Sequence, residues 1–139
     1  MTIKFFKVAP DKATLFSSPA AAGEYEPGTL VMLNPADGRV LPVTASATAG
    51  LAVAGMVTEG QTVAAGEELN YEKGFFAMSG ALGAVALNTL VYFQDSAAAH
   101  PQTAAEGKVV GGRYMGTVTG ISPFDHIIEV GYVPSGSTV

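Results

Sequence analysis

Hydrophobic positions along the chain fall in short runs that are separated by turns rich in glycine and proline. Residues 29–33 are a β-prone run, residues 34–38 form an Asn-Pro-Ala-Asp-Gly turn, and residues 39–43 return from it. This pattern predicts a β-hairpin. Residues 50–57 are apolar and bounded by glycine, which is typical of a buried strand, and residues 67–72 alternate like a strand with one solvated face.

Helical periodicity is scarce in the sequence. Residues 97–107 are rich in alanine, but Pro101 interrupts them, so we expect at most one short helix. Short strands at regular spacing, with Gly/Pro turns between them, predict an all-β fold of the small barrel or sandwich kind.

A segment of the chain recurs in diverged form. Residues 28–33 (GTLVML) are echoed sixty positions on by residues 88–93 (NTLVYF). Two further matches lie sixty-one positions apart, residues 55–58 with 116–119 and residues 68–71 with 129–132. Three matches in one order predict a duplicated β unit. We therefore divide the chain into an extended N-terminal arm (1–27), a β domain (28–133, with repeat units at about 28–74 and 88–133) and a polar C-terminal tail (134–139).

The composition points to assembly rather than chemistry. Only 14% of the 139 residues are charged, against about 25% in typical soluble domains. A surface so poor in charge is often covered in the working state, so we expect a homo-oligomer or a larger assembly. There is no cysteine, which excludes disulfides and thiolate chemistry. The net charge of −5 argues against a nucleic-acid binder.

The first residues have a character of their own. Residues 1–12 carry three lysines against one aspartate, whereas the rest of the chain is acidic. A basic start that also carries aromatic residues is typical of an arm that docks on an acidic surface, and a solvated tail is the alternative. The chain shows no hydrophobic region of a secretory signal. It also has no apolar run near the roughly 20 residues of a membrane span. We therefore expect neither export nor membrane insertion.

Residues with catalytic or metal-binding chemistry are few. His126 follows Asp125 and lies close to Ser122, but neighbours in a strand face opposite ways, so we predict a turn with a surface histidine rather than a catalytic triad. The other histidine, His100, precedes Pro101 in a loop of small residues. Two histidines without cysteine do not predict a zinc site. We expect no enzyme activity, no metal and no cofactor.

Two further patterns have a structural interpretation. The glutamates at positions 67, 68 and 72 are too few for a calcium loop, and we interpret them as a solvated strand face. Residues 59–69 are similar to the turn of lipoyl- and biotinyl-carrier domains, but neither Lys73 nor Lys108 has the sequence context of a modified lysine. This stretch predicts a β-turn-β device.

The pattern of strands and turns over residues 28–133 resembles phage capsid decoration proteins, also called head-stabilising or cement proteins. The resemblance consists of a short apolar strand (29–33), a polar turn (34–38), an Arg-Val-Leu return (39–41), a Leu-x-Val strand (51–57) and a strand that enters Gly-Phe-Phe (74–76). Residues 88–133 resemble the latter half of related cement proteins, with a Thr-Leu-Val-Tyr strand, a Gly-x-x-x-Gly-x-Val strand and an alternating final strand.

The resemblance implies a virion structural protein on the outer surface of a phage capsid. Such proteins bind the major capsid protein, typically as homotrimers, and clamp coat subunits of the expanded shell. Localisation would be the virion, and the host cytoplasm during assembly, with no nucleic acid or membrane as partner. We predict the capsid or neighbour-subunit contact in the arm, at Ile3, Lys4, Phe5, Phe6 and Lys7. The alternatives are another virion adaptor of the tail or baseplate and a carbohydrate-binding β module.

Overall fold

The computed structural model describes residues 5–43, 52–79, 85–93, 109–121 and 123–132. These residues form β-strands and a single 3₁₀ turn, Pro10–Lys12, which confirms the predicted all-β fold. The strands are β1 (Phe6–Val8), β2 (Thr14–Pro19), β3 (Gly23–Tyr25), β4 (Leu30–Leu33), β5 (Val40–Pro42), β6 (Val53–Met56), β7 (Gln61–Val63), β8 (Glu68–Met78), β9 (Leu90–Phe93), β10 (Val109–Thr117) and β11 (His126–Val130). The alanine-rich segment 97–107 and the tail 134–139 lie outside the described residues.

One antiparallel sheet organises the molecule around its longest strand, β8. The strand order is β5-β4-β6-β8-β11-β10-β9, and β3 pairs with β7 in a small second sheet. The hairpin predicted at residues 29–43 is present as β4 and β5. Its turn is fixed by Asn34, whose side chain accepts a hydrogen bond from the Ala36 amide, and by Gly38, whose φ of 73° suits glycine.

The N-terminal segment is extended, as predicted, and it is paired along β8. β1 pairs with residues 75–77 of β8, and β2 pairs with residues 68–73. The described part of the predicted arm, residues 5–27, therefore contributes strands to the sheet. Its removal would strip β8 of hydrogen-bonding partners over most of its length.

The strand registers relate two halves of the chain, unit 1 (residues 14–73) and unit 2 (residues 74–131). In unit 1 a row of directly opposed residues crosses the sheet in the order Leu30, Met56, Glu72, Leu15. In unit 2 the corresponding row is Leu90, Arg113, Glu129, Phe75. The outer members of the two rows lie sixty positions apart and the central members fifty-seven apart. The chain from β9 to β10 in unit 2 is thus three residues shorter than the chain from β4 to β6 in unit 1.

A bulge recurs at the same place in both units. The β4–β6 register passes from Val31–Gly55 to Met32–Val53 and so skips one residue of β6. The β9–β10 register passes from Val91–Gly112 to Tyr92–Val110 and skips one residue of β10. The two skipped residues, Ala54 and Gly111, are therefore equivalent, and a shared bulge is a strong mark of common architecture.

The turn that opens each hairpin also recurs. The Thr29 amide bonds to the Glu26 carbonyl at 3.1 Å, and the Thr89 amide bonds to the Ala86 carbonyl at 3.2 Å. Each turn places a residue with positive φ before the threonine, Gly28 at 93° and Asn88 at 71°. Glycine and asparagine are the residues that tolerate this conformation best. The first sequence match, residues 28–33 with 88–93, is therefore a match of structure.

The other two sequence matches are displaced by four residues from the structural equivalence. Gly55 corresponds to Gly112 rather than to Gly116, and Tyr71 corresponds to Ile128 rather than to Tyr132. β10 contains glycine at several positions, so composition favoured the wrong one. The registers also start the first unit at residue 14 rather than at 28.

The two units pack face to back. One face of unit 1 forms its own core, which includes Val31, Val57, Leu69 and Tyr71. The opposite face of unit 1, which carries Leu30, Met32, Val53 and Met56, packs into a second core together with unit 2 residues Phe76, Val91, Phe93, Tyr114 and Ile128. The face of unit 2 that covers the back of unit 1 is the equivalent of the face on which unit 1 builds its own core.

Candidate docking surface

The back of unit 2 is the counterpart of the unit 1 face that unit 2 buries. Opposed residues of an antiparallel ladder share a face, and so do alternate residues of one strand. The registers therefore place a set of side chains together, which we call the outer face. It consists of Phe6, Val8, Phe75, Leu90, Tyr92, Val110, Arg113, Ile127 and Glu129. β11 shows the alternation, with His126, Ile128 and Val130 buried and the two residues between them half-buried.

The outer face is apolar although it is open. Phe6 is 49% exposed, and the other apolar members are half-buried. An antiparallel sheet that faces water on one side usually alternates hydrophobic and polar residues. By contrast, Arg113 and Glu129 are the two charged residues at the centre of the outer face, and the half-buried Lys73, which alternates with Phe75 on β8, lies at its border. A group of partly accessible apolar side chains around one exposed phenylalanine is a candidate site of interaction with another molecule.

The two charges of the outer face neutralise each other. The Arg113 Nε donates to Glu129 Oε1 at 2.5 Å, and the guanidinium lies 4.6 Å from the centre of the Tyr132 ring. Arg113 Nη1 also lies 3.4 Å from the Asn88 Oδ1. Arginine held in this way, by a carboxylate and an aromatic ring, is preorganised and sheds little entropy on binding.

The structure separates the five residues that the sequence predicts as a contact. Phe6 lies on the outer face, whereas Phe5 turns to the other side and packs edge-on against Phe76 with the ring centres 5.5 Å apart. Lys7 also turns inward, and its Nζ lies 2.6 Å from the Glu72 Oε1. Ile3 and Lys4 lie outside the described residues. Alternation along β1 therefore leaves Phe6 exposed on the outer face and gives its two neighbours internal contacts.

Lys7 and Glu72 join the two units of the fold. Lys7 belongs to the strand beside the unit 2 half of β8, and Glu72 belongs to unit 1. Thr58 donates a short hydrogen bond to the second carboxylate oxygen. Burial raises the pKa of Glu72. The hydrogen bonds from Lys7 and Thr58 and the charge of Lys7 together lower it by more, so the pKa lies below its usual value. Glu72 is 9% exposed, so its prediction as part of a solvated strand face is wrong, whereas Glu67 and Glu68 are exposed.

His126 is buried rather than on the surface. Its Nδ1 lies 3.3 Å from the Tyr114 hydroxyl, and its Nε2 lies 3.6 Å from an Asp125 carboxylate oxygen. The prediction of a surface histidine is wrong because position 126 begins a strand and faces the unit 2 core. Asp125 precedes that strand, so strand alternation does not separate the two side chains. Ser122 and His100 lie outside the described residues.

One polar cleft in the described part of the chain is lined largely by side chains that are already hydrogen-bonded. It has a volume of about 240 Å³ and is lined by Leu15, Thr58, Glu59, Gln61, Asn70 and Glu72. The Gln61 side chain donates to the Asn70 carbonyl and accepts from the Asn70 amide, at 2.9 and 2.8 Å. Glu72 is engaged on both oxygens. The Gln61 amide and the Glu72 carboxylate of this cleft therefore hydrogen-bond neighbouring segments of the protein.

Among the residues that the structure describes, no group of three or more His, Asp or Glu side chains is placed to hold a metal ion. In the same part of the chain, no helix has the length and hydropathy needed to cross a membrane. No family model, curated protein or solved structure matches this chain.

Sequence reasoning found Phe6 but missed the rest of the outer face. A signal for it exists in β9, where residues 90–93 are apolar at every position instead of at alternate ones. A continuous apolar run in an antiparallel strand indicates that both sides are covered. One side of β9 faces the core, so the other side is expected to meet a partner.

Proposed function

We propose that this protein is a non-enzymatic structural component of a phage virion that binds the outer surface of the capsid. It stabilises the expanded shell by clamping neighbouring coat subunits, and its partners are the major capsid protein and further copies of itself. Two observations support the proposal. The strand and turn pattern of residues 28–133 resembles capsid decoration proteins, and a charge-poor all-β domain presents an apolar outer face.

The outer face is the observation that carries the proposal. A clamp made of joined copies needs buried area and shape rather than reactive groups, and this face supplies area for the contact between copies. A protein that binds the intact shell and not its dissociated subunits stabilises the shell by mass action. Since many copies bind one closed lattice, each contact need contribute only a little. Self-association is part of the proposal, and the resemblance implies a homotrimer as its form.

A direct test heats expanded capsids with and without the protein at increasing occupancy. The temperature of capsid rupture should rise with occupancy and level off at saturation. Unexpanded shells, which lack the mature surface, serve as the matched control and should bind less. Unchanged rupture at full occupancy would refute the clamp, and binding to tails but not to capsids would favour the adaptor.

A second candidate is carbohydrate binding, because the outer face carries three aromatic residues, Phe6, Phe75 and Tyr92. Exposed aromatic rings form platforms for sugars. Binding on a glycan array that is lost on Phe6→Ser and retained on Leu15→Ser would favour this role. Leu15 is the matched control because it is an exposed apolar residue of unit 1, away from the outer face.

A further inference from the structure

We propose that the outer face is a self-association surface, on which the same face of a second copy of this chain docks. The inference deepens the self-association included in the proposed function, and it does not depend on binding to a capsid. Three observations carry it, namely the order of charges on the face, the fate of the equivalent face in unit 1, and the residue types present.

The order of residues across the outer face is self-complementary. From one sheet edge inward the central row reads Val8, Phe75, Glu129, Arg113, Leu90, that is apolar, apolar, acid, base, apolar. A two-fold rotation about an axis between the charged residues brings the acid of one copy opposite the base of the other. It also brings apolar side chains opposite apolar side chains. An interface of one patch with itself requires this kind of arrangement.

The equivalent face of unit 1 is already covered by this chain. Its row, with Leu30, Met56 and Glu72 at matching positions, is buried beneath unit 2. In repeat architectures a unit cannot bury its hydrophobic face alone, and a terminal unit that is free in solution carries a polar outer surface. Unit 2 is the terminal unit of the pair, yet it retains leucine at position 90 and has tyrosine at 92.

The residue types fit an interface between copies. Tyrosine and arginine are enriched in the central, energetically dominant part of interfaces. Arg113 and Glu129 form a neutral pair at the centre of the face and Lys73 lies at its border, so two chains that each carry −5 overall meet where the surface is not acidic. A strongly acidic or basic partner would gain little from such a face, which favours a second copy.

The first experiment measures the mass of the wild-type chain by mass photometry and sedimentation across a dilution series without capsids. We expect an even-numbered assembly in place of the homotrimer that the resemblance implies, because a face that docks on itself pairs the copies; a trimer would overturn the two-fold contact. Tyr92→Glu should weaken association at least about 30-fold. The matched control Leu15→Glu places the same charge on an exposed apolar site of unit 1 and should leave association unchanged. Circular dichroism establishes that each variant is folded.

Charge reversal tests the two-fold geometry itself. Arg113→Glu gives a face with two acids, and Glu129→Arg gives a face with two bases, so each variant alone should associate poorly. Mixed in equal amounts, the two variants should associate again, because every charge then meets its opposite. Mixing should restore mass and, because association favours the folded state, should raise the thermal stability of both chains as their concentration increases.

Labelling provides a readout that does not require loss of association. The wild-type chain has no cysteine, so Tyr92→Cys and Leu15→Cys each carry one thiol. The thiol at 92 should react with maleimide in dilute solution and become protected at high concentration, and the thiol at 15 should react throughout. A wild-type monomer at micromolar concentration, failure of the charge-reversed pair to associate, or a thiol at 92 that is protected at every dilution would each overturn the proposal. Capsid binding, measured separately, leaves these outcomes unaffected.

Discussion

Gly111 is smaller, and its neighbour Phe93 is larger, than the residues at the equivalent positions of unit 1. A Cβ atom at position 111 would lie 1.9 Å from Cδ2 and 2.0 Å from Cε2 of the Phe93 ring. The equivalent residues of unit 1 are Ala54 and Leu33, a larger residue on the bulge and a smaller one on the neighbouring strand. Gly111→Ala should therefore be destabilising in unit 2 only because the phenylalanine is present.

The size of the effect follows from the surroundings of the ring. Phe93 is 1% exposed and lies in the core that joins the units, so it has no open space to enter. Overpacking of this kind costs about 1–3 kcal/mol, set against roughly 0.5–1 kcal/mol gained by replacing glycine in a strand. Phe93→Leu alone should cost about 1–2 kcal/mol for lost contacts and residual space. The double variant recreates the unit 1 pair, so it should be more stable than the sum predicts by about 1–2 kcal/mol.

Urea denaturation of the four proteins measures this coupling, provided that the slope with denaturant stays constant across the set. Gly60→Ala is the matched control, because its added Cβ would meet no atom closer than 3.7 Å. Combined with Phe93→Leu, it should be additive within about 0.5 kcal/mol. If Gly111→Ala is as stable as the wild type, or if the two changes at the bulge are simply additive, the steric account of this pair is refuted.

Three further predictions concern the joint between the units, the first strand and a glycine under a carbonyl. The pKa of Glu72 is lowered in the folded state, so its stabilising contribution is present above the pKa of the unfolded carboxyl group and is lost as the pH falls through the folded pKa. The free energy of unfolding of the wild type should therefore fall more steeply below about pH 4.3 than that of Glu72→Gln. Urea denaturation from pH 7 to 3 measures this difference. Phe5→Ala should cost about 1–3 kcal/mol, and Phe6→Ser should cost less than about 0.5 kcal/mol, by thermal and urea denaturation; equal costs would contradict the inward and outward assignment. Gly112→Ala should cost more than about 2 kcal/mol and should not be relieved by Phe93→Leu, because its Cβ would lie 2.0 Å from the Glu129 carbonyl oxygen.

The sequence predicted those features that local chemistry decides. Turns rich in Asp, Asn, Pro and Gly have defined backbone needs, so the β4–β5 hairpin and the all-β fold could be inferred from residues 29–43 and their like. The match of residues 28–33 with 88–93 also has a local cause, since both segments follow a turn that needs positive φ. Local signals of this kind survive divergence because the backbone conformation restricts the choice of residue.

The features that escaped prediction depend on pairing between distant strands. The four-residue displacement of the later repeat matches reflects a link that is three residues shorter in unit 2, and the several glycines of β10 allowed a match at the wrong position. Glu72 was interpreted as solvated because its two partners, Lys7 and Thr58, are far from it in sequence. The inward and outward assignment of Phe5, Phe6 and Lys7 likewise required knowing that β1 is a strand with one side on the core.

The two units solve the same local problem with different donors, and this difference bears on what the chain does. Each unit places a glutamate at the centre of its back row, and each supplies that glutamate with a cation. In unit 1 the cation is Lys7, contributed by β1, which pairs with the unit 2 half of β8. In unit 2 the cation is Arg113 on the neighbouring strand of the same sheet, so the pair is complete without a further unit. Unit 1 is thus built to be covered from within the chain. The back of unit 2 carries its own ion pair among half-buried apolar residues, which is the arrangement that the proposed self-association uses.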